Sequence, residues 1–326
     1  MTTASRRTTA LALTATLALT LSACNRGGEE GGEGSAEGGD RSLTLAVSTL
    51  NNPFFIDLRD GAQEAADEAG VSLEVVDAQN DAATQQNQLA NAATQETDAV
   101  LINPVDSEAA AAAVDPLLQA DIPVIAVDRA VEGATVNTTV SSDNVAGGRQ
   151  AAQALAEAMG EEGQVVVLQG VAGTSASRDR GQGFEEGIAE FPDIEVVAMQ
   201  PANFDRAQGL DVATNLLESN PEVTGIFAEN DEMALGALQA LGDRAGEEVF
   251  VVGFDGTGDA LTAIEEGSMV ATIAQQPAEL GRAAVEAALQ AVDGEDLPES
   301  QPIDVVTVTI DQRRPLRPGP CPPRAG

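Results

Sequence analysis

The sequence predicts an α/β protein made of two Rossmann-like lobes, each built on a parallel sheet and joined by a hinge that the chain crosses three times. Short apolar runs rich in β-branched residues alternate with alanine-rich helical patterns. Predicted strands begin near residues 43, 71, 98 and 122, and again near residues 164, 194, 223 and 248. Each interval suits one βα unit, so the matching rhythm predicts two lobes of like topology. With 326 residues the chain is long enough for two domains.

The first βα unit shows where a site should lie. Residues 43–48 are predicted as a buried strand, after which Asn52 and Pro53 begin a helix. The alanines expected on the packed face of that helix are Ala62, Ala65, Ala66 and Ala69. In parallel sheets, ligands bind beyond the carboxyl ends of the strands. Asn52, Phe54 and Phe55 fall at that edge, so we expect a site there.

The chain is expected to cross between the lobes near residues 140–144, 274–277 and 302–305. The third crossing is predicted because residues 304–310 read as one last strand. The predicted N-terminal lobe comprises residues 42–142 and 276–304, and the predicted C-terminal lobe comprises residues 143–275 and 305–312.

The N-terminus reads as an export signal over residues 1–23. Arg6 and Arg7 precede an apolar run over residues 10–21 that is too short to span a membrane. The following residues, Leu-Ser-Ala-Cys, resemble a bacterial lipobox, which implies cleavage before Cys24 and a lipid on its sulfur. The Arg6-Arg7 pair matches a twin-arginine signal only in part, so the sequence leaves the export route open.

Two further segments have compositions unsuited to a packed core. Residues 24–41 are rich in Gly and Glu and are predicted to form a flexible tether. Residues 313–326 contain five prolines and four arginines without periodicity, so we expect a disordered tail. Cys321 lies in that tail and is expected to be a free thiol, with an intermolecular bridge left open.

Composition excludes several classes of protein. The formal net charge is −37 and the chain has neither lysine nor histidine. Nucleic acid is not an expected partner, because affinity for phosphate backbones rests on clustered Lys and Arg. The absence of histidine argues against a triad hydrolase or a zinc enzyme. We therefore expect no catalytic residues, no metal and no cofactor.

Polar residues follow corresponding strands of the two halves at one constant separation. Asn103 and Asn230 follow the third strands, Asp128 and Asp255 follow the fourth strands, and each pair is 127 residues apart. A single asparagine at a strand end is ordinary turn chemistry. Four residues in register predict a cleft in which each lobe offers an amide and a carboxylate to one small ligand.

Aromatic residues are scarce, and half of them fall at the same predicted edge. The chain has eight phenylalanines and no tyrosine or tryptophan. Those at or just past predicted strand ends are Phe54, Phe55, Phe204 and Phe254, whereas Phe184, Phe191, Phe227 and Phe250 fit the interior of elements. Beside Arg129 and Arg180, the first four indicate a pocket with flat apolar walls and a polar rim. A pyranose has matching faces and hydroxyls.

Several long motifs, among them NNPFF, LINPVDS, LQGVAGTSASRDRGQGF, QPANFDR, NDEMALGALQAL and VVGFDGT, resemble the ribose-binding proteins of bacterial ABC importers. The resemblance covers residues 43–312 and implies the fold called periplasmic binding protein type I. It implies an aromatic sandwich with Phe54 and Phe55 on one side of the sugar and Phe204 with Phe254 on the other. The implied polar contacts are Asn52, Asn103, Asp128, Arg129, Arg180, Asn230, Asp255 and Gln275.

The resemblance also implies a mechanism and partners. The protein is expected to capture D-ribose, or a closely related monosaccharide, by hinge closure and to deliver it to the permease of an ABC transporter. We expect a monomer, extracytoplasmic and lipid-anchored through Cys24 to the outer face of the cell membrane. The lipobox with its tether and the tail over residues 313–326 depart from the family pattern.

Three alternatives compete with this interpretation. A glycosidase would use Asp128 and Asp255 as paired carboxylates, but Arg129 should favour the ionised form of Asp128 over a general acid. A lac-repressor-like regulator would need a DNA-binding module where the export signal lies. The third alternative is a receptor for another sugar or for autoinducer-2 that serves sensing or chemotaxis. Such a receptor has the same fold, and the sequence distinguishes it only weakly from a ribose-binding protein.

Overall fold

A computed structural model describes residues 41–95 and 97–310 of the protein. The predicted signal peptide, the tether except for its last residue, the tail over residues 313–326, the lipidation site Cys24 and Cys321 all lie outside the described residues. The structural statements that follow concern the described ranges.

Strands and helices alternate along the chain. The first half contains β1 (Ser42–Val47), α1 (Pro53–Ala69), β2 (Ser72–Asp77), α2 (Ala82–Ala92), β3 (Ala99–Ile102), α3 (Ala110–Gln119), β4 (Val124–Val127) and β5 (Thr138–Ser142). The second half contains α4 (Asn144–Met159), β6 (Glu162–Gln169), α5 (Ser175–Ile188), β7 (Asp193–Pro201), α6 (Arg206–Ser219), β8 (Val223–Ala228), α7 (Asp231–Leu241), β9 (Phe250–Asp255), α8 (Gly258–Glu266) and β10 (Ala271–Ala274). The last elements are α9 (Pro277–Val292), β11 (Ser300–Ile303) and β12 (Val306–Thr309).

The described strands form two six-stranded sheets of matching topology. The first has the order β11-β5-β4-β3-β1-β2, and the second has the order β12-β10-β9-β8-β6-β7. Neighbouring strands run parallel throughout, except for the antiparallel pair β10 and β12. The predicted two-lobed parallel α/β fold is confirmed, and the eight predicted strands begin within two residues of their predicted positions.

The chain passes between the two sheets at three places. It leaves the first sheet after β5, returns between β10 and α9, and crosses again between β11 and β12. The predicted last strand over residues 304–310 is confirmed as β12 in the second sheet, and the third crossing lies directly before it, whereas β11 of the first sheet was not predicted. The separate strands β5 and β10 were also missed, since each is short and lies at a crossing.

Helices cover both faces of each sheet, which explains why the strands are apolar runs rather than alternating ones. In the first lobe, α1 and α9 pack on one face, and α2 and α3 pack on the other. Ala62, Ala65 and Ala66 of α1 are buried as predicted, whereas Ala69 is exposed because it lies in the last turn, next to the left-handed cap at Gly70. Among the described helices, none is both long enough and apolar enough to cross a membrane.

Candidate functional site

A cavity lies between the carboxyl ends of the two sheets. Helix α1 with its N-cap and the turn after β4 supply its walls from the first lobe, while α5, the last residue of β9 and the segments after β7, β8 and β10 supply them from the second. The lining residues are Asn52, Phe54, Phe55, Asp128, Arg129, Ala176, Arg180, Phe204, Asn230, Asp255 and Gln275. Ten of the twelve predicted contact residues therefore converge on one cavity.

Aromatic rings form part of the walls and hold a guanidinium between the lobes. Phe54 and Phe55 pack edge to face, with their ring centroids 5.1 Å apart. The Cζ atom of Arg129 lies 5.4 Å from the centroid of Phe55 and 5.4 Å from that of Phe204. Because Phe204 belongs to the second lobe, Arg129 makes cation–π contacts with both lobes at once.

Asp128 and Arg129 form the polar part of the first lobe. Asp128 is buried with φ of 65°, which is uncommon for a residue with a side chain, and its Oδ2 accepts a hydrogen bond from Asn103 Nδ2 at 3.0 Å. Arg129 Nε lies 3.6 Å from the same oxygen, and Arg129 Nη1 donates to the carbonyl of Pro104 at 2.9 Å. Among the described residues, the buried Arg129 Nε has no hydrogen-bond partner, so this donor is available to a ligand.

Arg180 and Asp255 form the corresponding group in the second lobe. Arg180 Nη1 lies 3.6 Å from Asp255 Oδ1, and Arg180 Nε donates to Asn144 Oδ1 at 2.9 Å. Asp255 Oδ1 also accepts from Gln275 Nε2 at 2.7 Å. The buried Gln275 Oε1 has no partner within the described ranges. The second lobe therefore offers an acceptor where the first offers a donor.

Two asparagines lie at helix N-termini on opposite sides of the cavity. Asn52 Oδ1 caps α1 by accepting from the backbone N–H of Phe54 at 3.0 Å, and Asn230 Oδ1 caps α7 by accepting from that of Met233 at 2.9 Å. In both residues the capping bond takes the carbonyl oxygen, which orients the side chain. The amide N–H groups are then the part that each asparagine presents away from its helix.

The cavity holds two carboxyl groups and two guanidinium groups, so its formal charges balance. This composition favours an uncharged ligand with many hydroxyls over an ionic one. Burial raises the pKa of Asp128, and it raises the pKa of Asp255 well above the ordinary range, although neighbouring arginines oppose both shifts. Arg129 lowers the pKa of Asp128, as expected from its charge, but burial raises that pKa by more, so the net shift is upward.

Two of the twelve predicted contact residues, Asn103 and Phe254, do not line the cavity. Asn103 is fully buried, and its amide is occupied by the backbone N–H of Ser48 and by the carboxylate of Asp128. Phe254 lies within β9, and its ring packs beneath the guanidinium of Arg180, at 3.9 Å from Cζ to centroid. Both residues position a neighbour that does line the cavity.

Sequence reasoning missed two residues at the site. Ala176 lines the cavity from the first turn of α5, where a small side chain leaves room for a ligand. Asn144 fixes the guanidinium of Arg180. Its place at the start of α4, directly after a crossing, is the signal that could have identified it.

Hydrogen bonds join the two lobes beside the cavity. The backbone N–H of Ser107 donates to the carbonyl of Gly173 at 2.9 Å, and that of Ser175 donates to Ser107 Oγ at 3.1 Å. Ser175 Oγ in turn accepts from the backbone N–H of Ala130 at 2.9 Å. Residues 107 and 130 follow strands of the first sheet, whereas residues 173 and 175 follow β6, so these bonds hold the lobes in a closed arrangement.

A two-lobed α/β protein with a closed polar cavity between its lobes has the architecture of a solute-binding protein. A family described as "Periplasmic binding protein domain" matches residues 43–296 of the chain. The chain belongs to this family. The family acts outside the cytoplasm. The relatives and solved structures that resemble this chain are solute-binding proteins of ABC importers and not enzymes, which excludes the glycosidase alternative.

Relatives and solved structures agree with this assignment. The ribose import binding protein of Escherichia coli is 46% identical over 267 residues, which cover 82% of this chain and 90% of that protein. A solute-binding protein of Actinobacillus succinogenes with bound D-allose is 35% identical, with a TM-score of 0.79 over 83% of this chain and 98% of its own. The Caulobacter myo-inositol binding protein, with bound myo-inositol, is 34% identical, with a TM-score of 0.80 over 84% and 95%.

Proposed function

We propose that this protein captures D-ribose, or a closely related monosaccharide, in the cavity between its lobes and delivers it to an ABC transporter permease. The observation that carries the proposal is a charge-balanced cavity with aromatic walls, enclosed by both lobes and lined by Asp128, Arg129, Arg180 and Asp255. Similarity to relatives named for ribose import supports ribose as the first sugar to test.

The proposed mechanism couples binding to closure. With the lobes apart, each lobe offers half of the hydrogen-bonding groups. Closure brings Arg180 and Asp255 onto a sugar already held by Asp128 and Arg129, and it excludes water from the cavity. The closed form then differs in surface from the empty open form, which gives a permease a basis for discrimination.

A ligand panel tests this proposal directly. Purified protein is heated with D-ribose, D-allose, myo-inositol and autoinducer-2, and melting temperatures are compared, followed by calorimetry on every ligand that raises them. A ligand that binds only the native state adds about 2.7 kcal/mol to the free energy of unfolding at a hundredfold excess over Kd. We expect D-ribose to give the largest shift, and a ribose shift of zero would refute the proposal.

A receptor for another sugar is the second candidate. It is favoured by one specific observation, that structures similar to this one hold D-allose and myo-inositol. In the same panel, a larger shift with either of these than with D-ribose would select this candidate. A response to autoinducer-2 alone would instead point to sensing or chemotaxis.

We further propose that the mature protein is a monomer anchored to the outer face of the cell membrane by a lipid on Cys24. The proposal rests on the lipobox-like sequence before Cys24 and on the Gly- and Glu-rich stretch after it. The Cys24→Ser variant should move from the membrane fraction of expressing cells to the soluble fraction. Light scattering on the protein without residues 1–24 should give the mass of one chain.

A further inference from the structure

Asp231 is a fully buried acid that lies behind the cavity rather than in its wall. It is the first residue of α7, yet its carboxylate is directed at the neighbouring strands. Oδ2 accepts from the backbone N–H of Gly256 at 2.8 Å, from that of Thr257 at 2.7 Å and from Thr257 Oγ1 at 3.1 Å. Oδ1 accepts from Thr272 Oγ1 at 2.7 Å. One carboxylate thus fixes the turn after β9 and the neighbouring strand β10.

The turn that Asp231 holds carries the cavity carboxylate Asp255. Asp255 has φ of 129°, in a region that residues with side chains rarely adopt, and Gly256 follows with φ of 82°. Such backbone geometry persists only where surrounding contacts impose it. The N–H groups of the two residues after Asp255 both donate to Asp231, so that carboxylate is a principal contact that holds this geometry.

Close packing fixes the carboxylate of Asp231 in turn. A Cβ atom on Gly253 of β9 would lie 2.4 Å from Asp231 Oδ1, so the carboxylate fits against this strand only because residue 253 has no side chain. The four hydrogen bonds that it accepts orient the Asp231 carboxylate in this space.

Charge gives Asp231 a second effect on Asp255. The ionisable groups that act on Asp255 are Arg180 from α5, Asp231 from α7 and Asp128 from the first lobe, and Gln275 donates to it. Burial raises the pKa of Asp255 most, Arg180 opposes this, and the negative charge of Asp231 raises the pKa further. Burial also raises the pKa of Asp231 itself, to about 6, although its hydrogen bonds oppose the shift.

We propose that Asp231 is a positioning residue of the sugar site and holds Asp255 in its strained binding geometry. Through its own charge, Asp231 also sets the acid limit of sugar binding, which is the pH below which sugar affinity falls. The inference rests on the proposed function for its affinity readout. Asp255 forms an ion pair with Arg180, and accepts charge-assisted hydrogen bonds from sugar hydroxyls, only when it is ionised. Loss of sugar on acidification therefore follows the protonation of Asp255, and Asp231 shifts that protonation toward neutral pH.

The variant Asp231→Asn tests both effects. It keeps the shape of the side chain but removes the charge and the acceptor capacity of one oxygen. At pH 7.5 we expect the Kd for ribose to rise about tenfold, as the turn loses part of its anchoring. Between pH 7.5 and 4, we expect the fall in ribose affinity to begin at lower pH than in the wild type, because the pKa of Asp255 is lowered. A residue that only supported the fold would leave this pH profile in place.

The matched control is Glu229→Gln. Glu229 is also a fully buried acid and lies two residues away, but its carboxylate bonds to Gly170 and Ser177 instead of the turn after Asp255. This control should leave the acid limit of binding unchanged. If Asp231→Asn does not fold, Thr272→Val takes its place, because losing that donor raises the pKa of Asp231 and should shift the acid limit in the same direction, though less.

A second readout separates this inference from the proposed function. Carbon-13 NMR of aspartate carboxyls in the sugar-free protein, assigned with Asp255→Asn, gives the pKa of Asp255 without any ligand. We expect Asp231→Asn to lower that pKa. An unchanged pKa together with an unchanged ribose profile would overturn the inference. If the wild-type protein does not bind ribose but Asp231→Asn still lowers the pKa of Asp255, only the proposed ligand is refuted.

Discussion

The guanidinium carbon of Arg180 lies 3.9 Å from the ring centroid of Phe254. The ring is fully buried beneath the arginine, while Arg180 Nη1 donates to the carbonyl of Glu229 at 2.7 Å. Phe254 thus supports a residue of the cavity wall from behind, whereas Phe204 is part of the wall itself. An aromatic residue at a strand end serves either role, and only the packing around it distinguishes them.

Replacing the supporting ring should weaken sugar binding without altering the cavity lining. We expect Phe254→Leu to raise the Kd for ribose roughly tenfold, since a buried cation–π contact contributes about 1 to 2 kcal/mol. The matched control is Phe227→Leu, at another fully buried ring of the second lobe that stacks on Phe184 rather than on an arginine. Calorimetry should show a change in affinity for the first variant only, while thermal denaturation shows a loss of stability in both.

Removing either of two charged cavity residues should abolish a large part of the affinity. We expect Asp128→Ala and Arg180→Ala each to weaken ribose binding at least tenfold, because an unpaired buried partner costs about 1 to 3 kcal/mol. The controls are Asp60→Ala and Arg244→Ala, at exposed ion pairs, which should bind ribose like the wild type. Circular dichroism checks that the folds are intact, and unchanged affinity in both cavity variants would contradict the assigned site.

Closure should depend on a glycine at the contact between the lobes. A Cβ atom on Gly173 would lie 2.0 Å from Asp106 Oδ2 across the cleft, and Asp106 Oδ1 is fixed by the backbone N–H of Ala109 at 2.7 Å. We expect Gly173→Ala to disfavour the closed form and to raise the Kd for ribose several-fold, although Gly173 does not line the cavity.

The control for this change is Gly258→Ala, since a Cβ atom there meets no other atom within 4 Å. Small-angle scattering with saturating ribose should give a larger radius of gyration for Gly173→Ala than for Gly258→Ala. Equal radii and equal affinities would show that this contact does not limit closure.

The stability of the sugar-free protein should fall as the pH rises toward neutral. Burial raises the pKa of Glu229 to about 7, so the folded state keeps a proton that the unfolded chain releases near the ordinary pKa. The folded state binds more protons in that window, and ionisation above it costs about 3 kcal/mol of the free energy of unfolding. The raised pKa of Asp231, about 6, acts in the same direction.

Glu229→Gln should therefore raise the melting temperature at pH 8 and reduce its dependence on pH between 5 and 8. The amide oxygen can still accept from the backbone N–H of Gly170 and from Ser177 Oγ, which the Glu229 carboxylate does in the wild type. Glu222→Gln, at an exposed position, is the control and should leave the melting curves unchanged. A lower melting temperature for Glu229→Gln at pH 8 would show that the ionised carboxylate is stabilising instead.

Much of the candidate site could be predicted because it depends on local sequence. A polar residue directly after a buried strand must lie at the carboxyl edge of the sheet, and the equal separation of Asn103 from Asn230 and of Asp128 from Asp255 indicates two lobes of one topology. The roles of individual residues could be predicted less well from the sequence. Asn103 was expected to contact the ligand, but its side-chain amide is hydrogen-bonded to the backbone N–H of Ser48 and to the carboxylate of Asp128.

The sequence by itself determined the alternation of strands and helices, the two-lobed architecture and the edge at which the polar and aromatic residues gather, because periodicity and strand ends are properties of neighbouring residues. Only the tertiary structure decided that Phe254 lies beneath Arg180, that residues 300–309 divide between two sheets, and that burial raises the pKa of Asp128 despite the adjacent arginine. These outcomes depend on desolvation and on contacts between residues far apart in the chain, which no local pattern encodes.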